Sequence, residues 1–155
     1  MASSIGAQAA NDTKMRIVRQ LGSGAYSREY LAQDLSTPGV GRPVEIAVKV
    51  PRLSGCLREE VKDTIEKEAE ILREVAHENV VTLIDVRAST PDLGQGLPCL
   101  VFHPAEADLS NFLHRTPAGQ GLPARLARAW MGQLGSALAH VHSHGFIHRD
   151  VHSKT

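Results

Sequence analysis

Hydrophobic and polar positions change rhythm repeatedly along this chain, and each change marks an element. Met15-Arg16-Ile17-Val18-Arg19-Gln20-Leu21 is rich in β-branched residues and predicts a strand, and residues 28–33 predict a second one. The glycines between them then fall at a hairpin tip. After a Pro- and Gly-containing loop at 36–43, Val44-Glu45-Ile46-Ala47-Val48-Lys49-Val50 alternates as a third strand that Pro51 closes. Ala47 and Lys49 share one of its faces.

From about 57 to 75 the period becomes helical. Val61, Ile65, Leu72 and Val75 fall within roughly 80° of one another at about 100° per residue. Glu68 lies in the middle of that stripe, whereas Glu66 and Glu70 point to solvent. His77-Glu78-Asn79 breaks the helix, residues 80–86 predict a fourth strand, and Cys99-Leu100-Val101-Phe102 a fifth after a loop at 89–98. Five antiparallel strands with one inserted helix describe an α+β lobe. Residues 103–107 read as a linker. Asp108 then caps a short helix carrying Leu109, Phe112 and Leu113. A loop at 116–121 leads to Pro123 and a long helix with Leu126, Trp130, Leu134, Leu138 and Val141 on one face, a core surface rather than a ligand box. Gly145 is the expected C-cap, ahead of Phe146-Ile147-His148-Arg149-Asp150, a turn that Phe146 and Ile147 should hold down.

Composition narrows the functional classes. The chain has 155 residues, 42% of them hydrophobic and 22% charged, enough for a real core. Lys plus Arg and Asp plus Glu number 17 each, so no net field favours nucleic acid or an anionic membrane. Two cysteines, Cys56 and Cys99, form no metal-like or disulfide-framework spacing, and the expected setting is reducing, intracellular and cytoplasmic. Residues 1–14 are small and polar, the expectation being a disordered leader without a signal peptide. Ala2 rules out N-myristoylation, and no segment approaches a membrane span.

Four stretches carry candidate chemistry. In Leu21-Gly22-Ser23-Gly24-Ala25-Tyr26-Ser27, glycine lets backbone amides approach an anion closely, although glycines also simply make hairpin turns. Because this loop opens a strand and not a helix, a Rossmann dinucleotide site is disfavoured. Ala47 leaves room for a flat ring while Lys49 can reach a phosphate. Glu68, a carboxylate on a buried stripe, either pairs with a cation, Lys49 being the obvious candidate, or edges the interface and reaches out to solvent. Asp150 beside Arg149 is suited to accepting a proton from a hydroxyl, although His148-Arg149-Asp150 alone reads more simply as a helix-to-loop junction with a surface ion pair. A fifth pattern competes: His140, His144, His148 and His152 recur every four residues, with His142 among them, and histidines four apart on a helix can share zinc. Gly145 should break that helix and no cysteine accompanies it, so a polar helix end is the preferred reading and no metal ligands are assigned.

The order of these parts resembles the protein kinases. Leu21 to Ser27 is similar to their glycine-rich loop, Ile46-Ala47-Val48-Lys49 to their lysine strand, Glu68 to the helix glutamate that pairs with it, and His148-Arg149-Asp150 to their catalytic loop. The resemblance covers nearly the whole chain. It implies a kinase-like fold with an N-lobe at 15–102, a hinge at 103–107 and the start of a helical C-lobe at 108–155. It also implies ATP as cofactor and a protein substrate of unknown identity, with serine/threonine as the expected class. Phosphates would be held by the loop and Lys49, and the base by Leu21, Glu29, Ala47, the gatekeeper Phe102 and the backbone of His103 and Ala105. Asp150 would orient the substrate hydroxyl, with Arg149 supporting the loop.

Departures from the pattern qualify that expectation. Ser27 takes the third glycine position, Glu29 stands where a valine usually covers adenine, His152 replaces a lysine, and Thr155 falls where the magnesium-binding asparagine belongs. Magnesium is expected by family, but its Asp-Phe-Gly ligand is missing, as are the activation segment and later helices. A truncated, poorly active enzyme is therefore expected. The alternatives are a truncated protein that binds nucleotide or a partner without catalysis and, more remotely, a histidine-rich metal protein.

Overall fold

A computed structural model describes residues 15–36, 43–53, 55–116 and 121–153. The expected leader, positions 37–42 and 117–120 of the two expected loops, and Thr155 lie outside the described residues. The elements are β1 (Met15–Ser23), β2 (Ser27–Asp34), β3 (Val44–Pro51), α1 (Arg58–Glu74), β4 (Leu83–Ala88), α2 (Pro91–Gly94), β5 (Pro98–Phe102), α3 (Leu109–Arg115) and α4 (Ala124–Ser143). They fall into two compact units, one drawn from Met1–Glu70 and Leu83–Pro104, the other from Ile71–Thr82 and Ala105–Thr155.

The first unit is built on one antiparallel sheet in the order β1-β2-β3-β5-β4. Alternation along the strands sorts side chains onto two faces. One face gathers Met15, Tyr30, Ala32, Ile46, Val48, Val50, Cys99 and Val101 into the hydrophobic core. Each large aliphatic side chain buried there contributes about 1.5–3 kcal/mol. Cys99 belongs to this core, its Sγ lying 3.2 Å from the Arg87 carbonyl oxygen, and burial pushes its thiol up to about 11. It is a packing residue, not a reactive one.

The opposite face is organised by register. Directly opposed residues of antiparallel strands project to the same side. Gly22, Glu29, Lys49 and Leu100 therefore form one row across four strands, and Leu31, Ala47, Phe102 and Leu83 form the next. Helix α1 begins where the Glu60 carboxylate accepts the Leu57 N–H at 3.1 Å, a cap of the kind acidic residues provide near a helix start. It buries Ile65 and Ala69, while Val61, Glu68 and Leu72 are half-buried and Glu66 and Glu70 exposed, in line with the apolar stripe.

Two elements differ from expectation. Strand β4 begins at Leu83 and not at residue 80, because the chain is still turning: the Val80 N–H donates to the His77 carbonyl at 3.0 Å and the Asn79 N–H to His77 Nδ1 at 3.0 Å. β-branched Val80-Val81-Thr82 has strand propensity, but the side-chain-capped turn overrides it. The loop at 89–98 also contains α2, started by Pro91 at its first position and closed where Gln95 takes a left-handed φ of 55°. A Cβ at Gly94 would lie 2.7 Å from Val50 Cγ1 and closer still to Ser89 Oγ, so this buried turn requires glycine.

In the second unit, Asp108 caps α3 as expected, its carboxylate accepting the Asn111 N–H at 2.6 Å. Phe112 meets Trp130 of α4 edge-on at 5.2 Å between ring centroids. The apolar face of α4 is only partly covered: Ala137 is its buried residue, Trp130, Leu134, Leu138 and Val141 are half-buried, and Leu126 is exposed. The helix ends at Ser143, and Gly145 follows in a left-handed conformation with φ 81°, as a C-cap glycine should.

Candidate functional site

Lys49 and Glu68 meet in the first unit. Lys49 Nζ donates to Glu68 Oε1 at 2.6 Å, with the two side chains 29% and 34% exposed. The pair joins the sheet face bearing Ala47 to helix α1, and leaves the ammonium's other two hydrogens available. Phe102 ends β5 directly opposite Ala47, and His103 and Ala105 follow it with exposed side chains.

The glycine segment divides between strand and turn. Leu21, Gly22 and Ser23 close β1, Gly24 to Tyr26 make the turn, and Ser27 opens β2, the Gly24 N–H donating to the Ser27 carbonyl at 2.8 Å. Neither Gly22 nor Gly24 adopts a positive φ, and a Cβ at either would make only ordinary contacts, at 3.6 and 3.7 Å. The fold itself does not demand glycine at either position. Tyr26 is exposed at the tip.

Sequence reasoning missed Arg52. Its N–H donates to the Tyr26 carbonyl at 2.9 Å and its guanidinium to the Gly24 carbonyl at 3.1 Å, so the residue after β3 pins the glycine turn. The only signal was a cation next to Pro51, which nothing in the periodicity distinguished from an exposed charge.

The His-Arg-Asp turn belongs to the second unit. Gly145 N–H donates to the His142 carbonyl at 2.9 Å and Phe146 N–H to the Val141 carbonyl at 3.2 Å. Phe146 is half-buried, but Ile147 is 72% exposed, so the expectation that both hold the turn down fails for Ile147. The backbone fixes only its neighbour. Arg149 has a φ of 65°, a left-handed conformation costing a non-glycine residue roughly 1–2 kcal/mol. Asp150 N–H donates to His148 Nδ1 at 3.3 Å, and His152 Nε2 lies 3.6 Å from Asp150 Oδ2, close enough to pair with it when protonated. The Ser110 N–H donates to the Ser153 carbonyl at 2.8 Å, tying the segment after Asp150 to the start of α3.

The histidine repeat does not converge. His148 and His152 lie beyond the end of α4, and among the described residues no group of three His, Cys, Asp or Glu side chains could hold a metal ion. His140 instead lies between His144 and His77, its ring centroid 4.4 Å from that of His144 and 4.8 Å from that of His77.

A five-stranded antiparallel sheet with a helix, followed by further helices, is a protein-kinase-like fold. The chain belongs to the protein kinase family: the model of the protein kinase domain matches residues 15–154. Among curated proteins it is similar to cyclin-dependent kinase B2-2 of Arabidopsis thaliana, 32% identical over 136 residues that cover 86% of this chain and 41% of that protein. Cyclin-dependent kinase E-1 of the same plant is 32% identical over 137 residues, 87% of this chain and 27% of that one. Cyclin-dependent kinase B2-1 is 30% identical over 136 residues, 86% and 42%. The chain thus spans less than half the length of these curated relatives. Among the described residues no helix is long and apolar enough to cross a membrane.

Proposed function

We propose that this chain binds ATP on the Ala47–Lys49 face and transfers a phosphoryl group to a serine or threonine hydroxyl of an intracellular protein. The observation that carries this reading is the 2.6 Å bond between Lys49 and Glu68, which holds an ammonium in place beside glycines the fold does not otherwise need. Residues 15–102 would form the nucleotide-binding lobe, 103–107 the hinge and 108–155 the start of the helical lobe.

The division of labour follows from the side chains. The backbone amides of Gly22 to Ser27 and the ammonium of Lys49 bind phosphate oxygens, and Glu68 keeps that ammonium oriented. Leu21, Ala47 and Phe102 line the space for the base, Glu29 borders it, and backbone groups at His103 and Ala105 hydrogen-bond its edge. Asp150 would orient the substrate hydroxyl and accept its proton as that oxygen bonds the γ-phosphorus of ATP and the bond from that phosphorus to the β–γ bridging oxygen breaks, releasing ADP, while Arg149 supports the turn. Bound ATP supplies the phosphoryl group. Magnesium is implied by the family, but among the described residues no group of three His, Cys, Asp or Glu side chains could hold a metal ion.

A second reading, nucleotide binding without turnover, is favoured by Glu29, a carboxylate on the face that would meet the nucleotide. Transfer of labelled phosphate from ATP to a serine/threonine peptide library separates the two. Transfer that falls at least about 100-fold in both Asp150→Asn and Lys49→Met supports catalysis. Retained transfer in both variants overturns the assigned roles. ATP-dependent thermal stabilisation with no transfer selects the second reading.

A further inference from the structure

Glu29 stands at the centre of the row Gly22, Glu29, Lys49 and Leu100, the direct cross-strand partner of both the first glycine and the lysine. Its carboxylate turns toward the glycine segment: a Cβ on Gly22 would lie 3.6 Å from Glu29 Oε2. Among the described residues the Glu29 carboxylate has no hydrogen-bond or ion-pair partner, and Lys49 Nζ bonds Glu68 instead. The lysine face therefore carries Lys49 with the carboxylates of Glu29 and Glu68, and Arg19, opposite Leu31 in the next row, projects to the same side. Arg52, after β3, holds the Gly24 carbonyl at 3.1 Å.

We propose that Glu29 is a specificity-determining residue that makes this site discriminate against highly phosphorylated nucleotides in favour of ligands of lower negative charge. The inference rests on the nucleotide-binding reading above. An unneutralised carboxylate under the glycine segment repels a polyphosphate arriving there, and an exposed charge a few ångströms away still acts through a solvent-screened field. A neutral nucleoside, occupying the base space without a phosphate tail, meets no such repulsion.

The test is calorimetric titration of the 155-residue chain with ATP and with adenosine, in the wild type and in Glu29→Gln, an exposed and nearly isosteric change that preserves the strand. Removing the charge should tighten ATP binding about 3- to 10-fold and leave adenosine within about 2-fold, with the ATP gain shrinking as salt is raised from about 0.05 to 0.5 M. Circular dichroism of the variant checks that the sheet is intact. If ATP and adenosine affinities shift together, or ATP does not tighten, Glu29 does not discriminate by charge although the nucleotide reading stands. If neither ligand binds either protein, the nucleotide reading itself fails, and this inference falls with it.

Discussion

Lys49 and Glu68 are 19 positions apart in sequence and 2.6 Å apart in space, a direct hydrogen-bonded link between the sheet and α1. Both side chains remain about one-third exposed, so the pair should contribute little to stability. Lys49→Met and Glu68→Gln should each change the unfolding free energy by less than about 1 kcal/mol, measured by urea denaturation. A loss of several kcal/mol would make the pair a structural element first.

The ion pair that matters for folding lies elsewhere. Arg87 of β4 donates to Asp34 of β2 at 2.8 Å and to Asp85 at 2.9 Å, with Arg87 and Asp34 less than one-fifth exposed. The Arg87 guanidinium holds the Asp34 carboxyl well below the usual carboxylate range. Arg87→Ala should cost about 1–3 kcal/mol. A carboxyl whose folded pKa is depressed stabilises the fold fully above its unfolded value near 3.8, and that contribution drains away as the pH falls below it. Acid titration of stability should show a loss beginning near pH 4 that is smaller in Asp34→Asn.

The stacked histidines predict a second, milder acid sensitivity. Burial, then the neighbouring His144 and His77, hold His140 below its ordinary 6.5, and among the described residues its buried Nε2 has no partner. His77 Nδ1 accepts the Asn79 N–H, so its neutral ring must donate from Nε2, which faces Ser136 Oγ at 3.3 Å. For His140 the unfolded chain binds a proton more readily than the folded one, so stability is complete above about pH 6.5 and falls as the pH drops through it. The melting temperature should decrease between pH 7.5 and 5.5, and His140→Gln should flatten that dependence. An unchanged slope would show that the stack is electrostatically silent.

Gly94 offers a purely steric test. Gly94→Ala places a methyl group against Val50 and Ser89 in a turn that is already buried, and should cost about 1–3 kcal/mol in urea denaturation. The same substitution at Gly22 meets only Glu29 Oε2 at 3.6 Å and should leave stability nearly unchanged.

What sequence reasoning reached and missed divides along physical lines. Strand alternation at 44–50 and the helical stripe holding Glu68 were legible because burial imposes period on sequence, and the cost of a lone charge on an apolar stripe made Lys49 the candidate partner of Glu68 without excluding a solvent-facing carboxylate. The Asp108 cap and the Gly145 stop were legible because capping is local chemistry. Arg52, α2 and the delayed start of β4 were not, since each depends on hydrogen bonds that sequence periodicity does not encode. Ile147 failed for a related reason: apolar character states that a residue favours burial, not that the chain turns it inward. Glu29 was visible as an oddity, but its position between Gly22 and Lys49 emerged only from the register of three strands.

The central claim is that the ammonium held by Glu68 exists to bind the phosphates of a nucleotide. Calorimetric titration of ATP into the wild type and Lys49→Met tests it most directly. Saturable binding to the wild type, weakened at least about tenfold in a variant that melts at the same temperature without ligand, is the expected result. Equal ATP affinity in two equally stable proteins would contradict it.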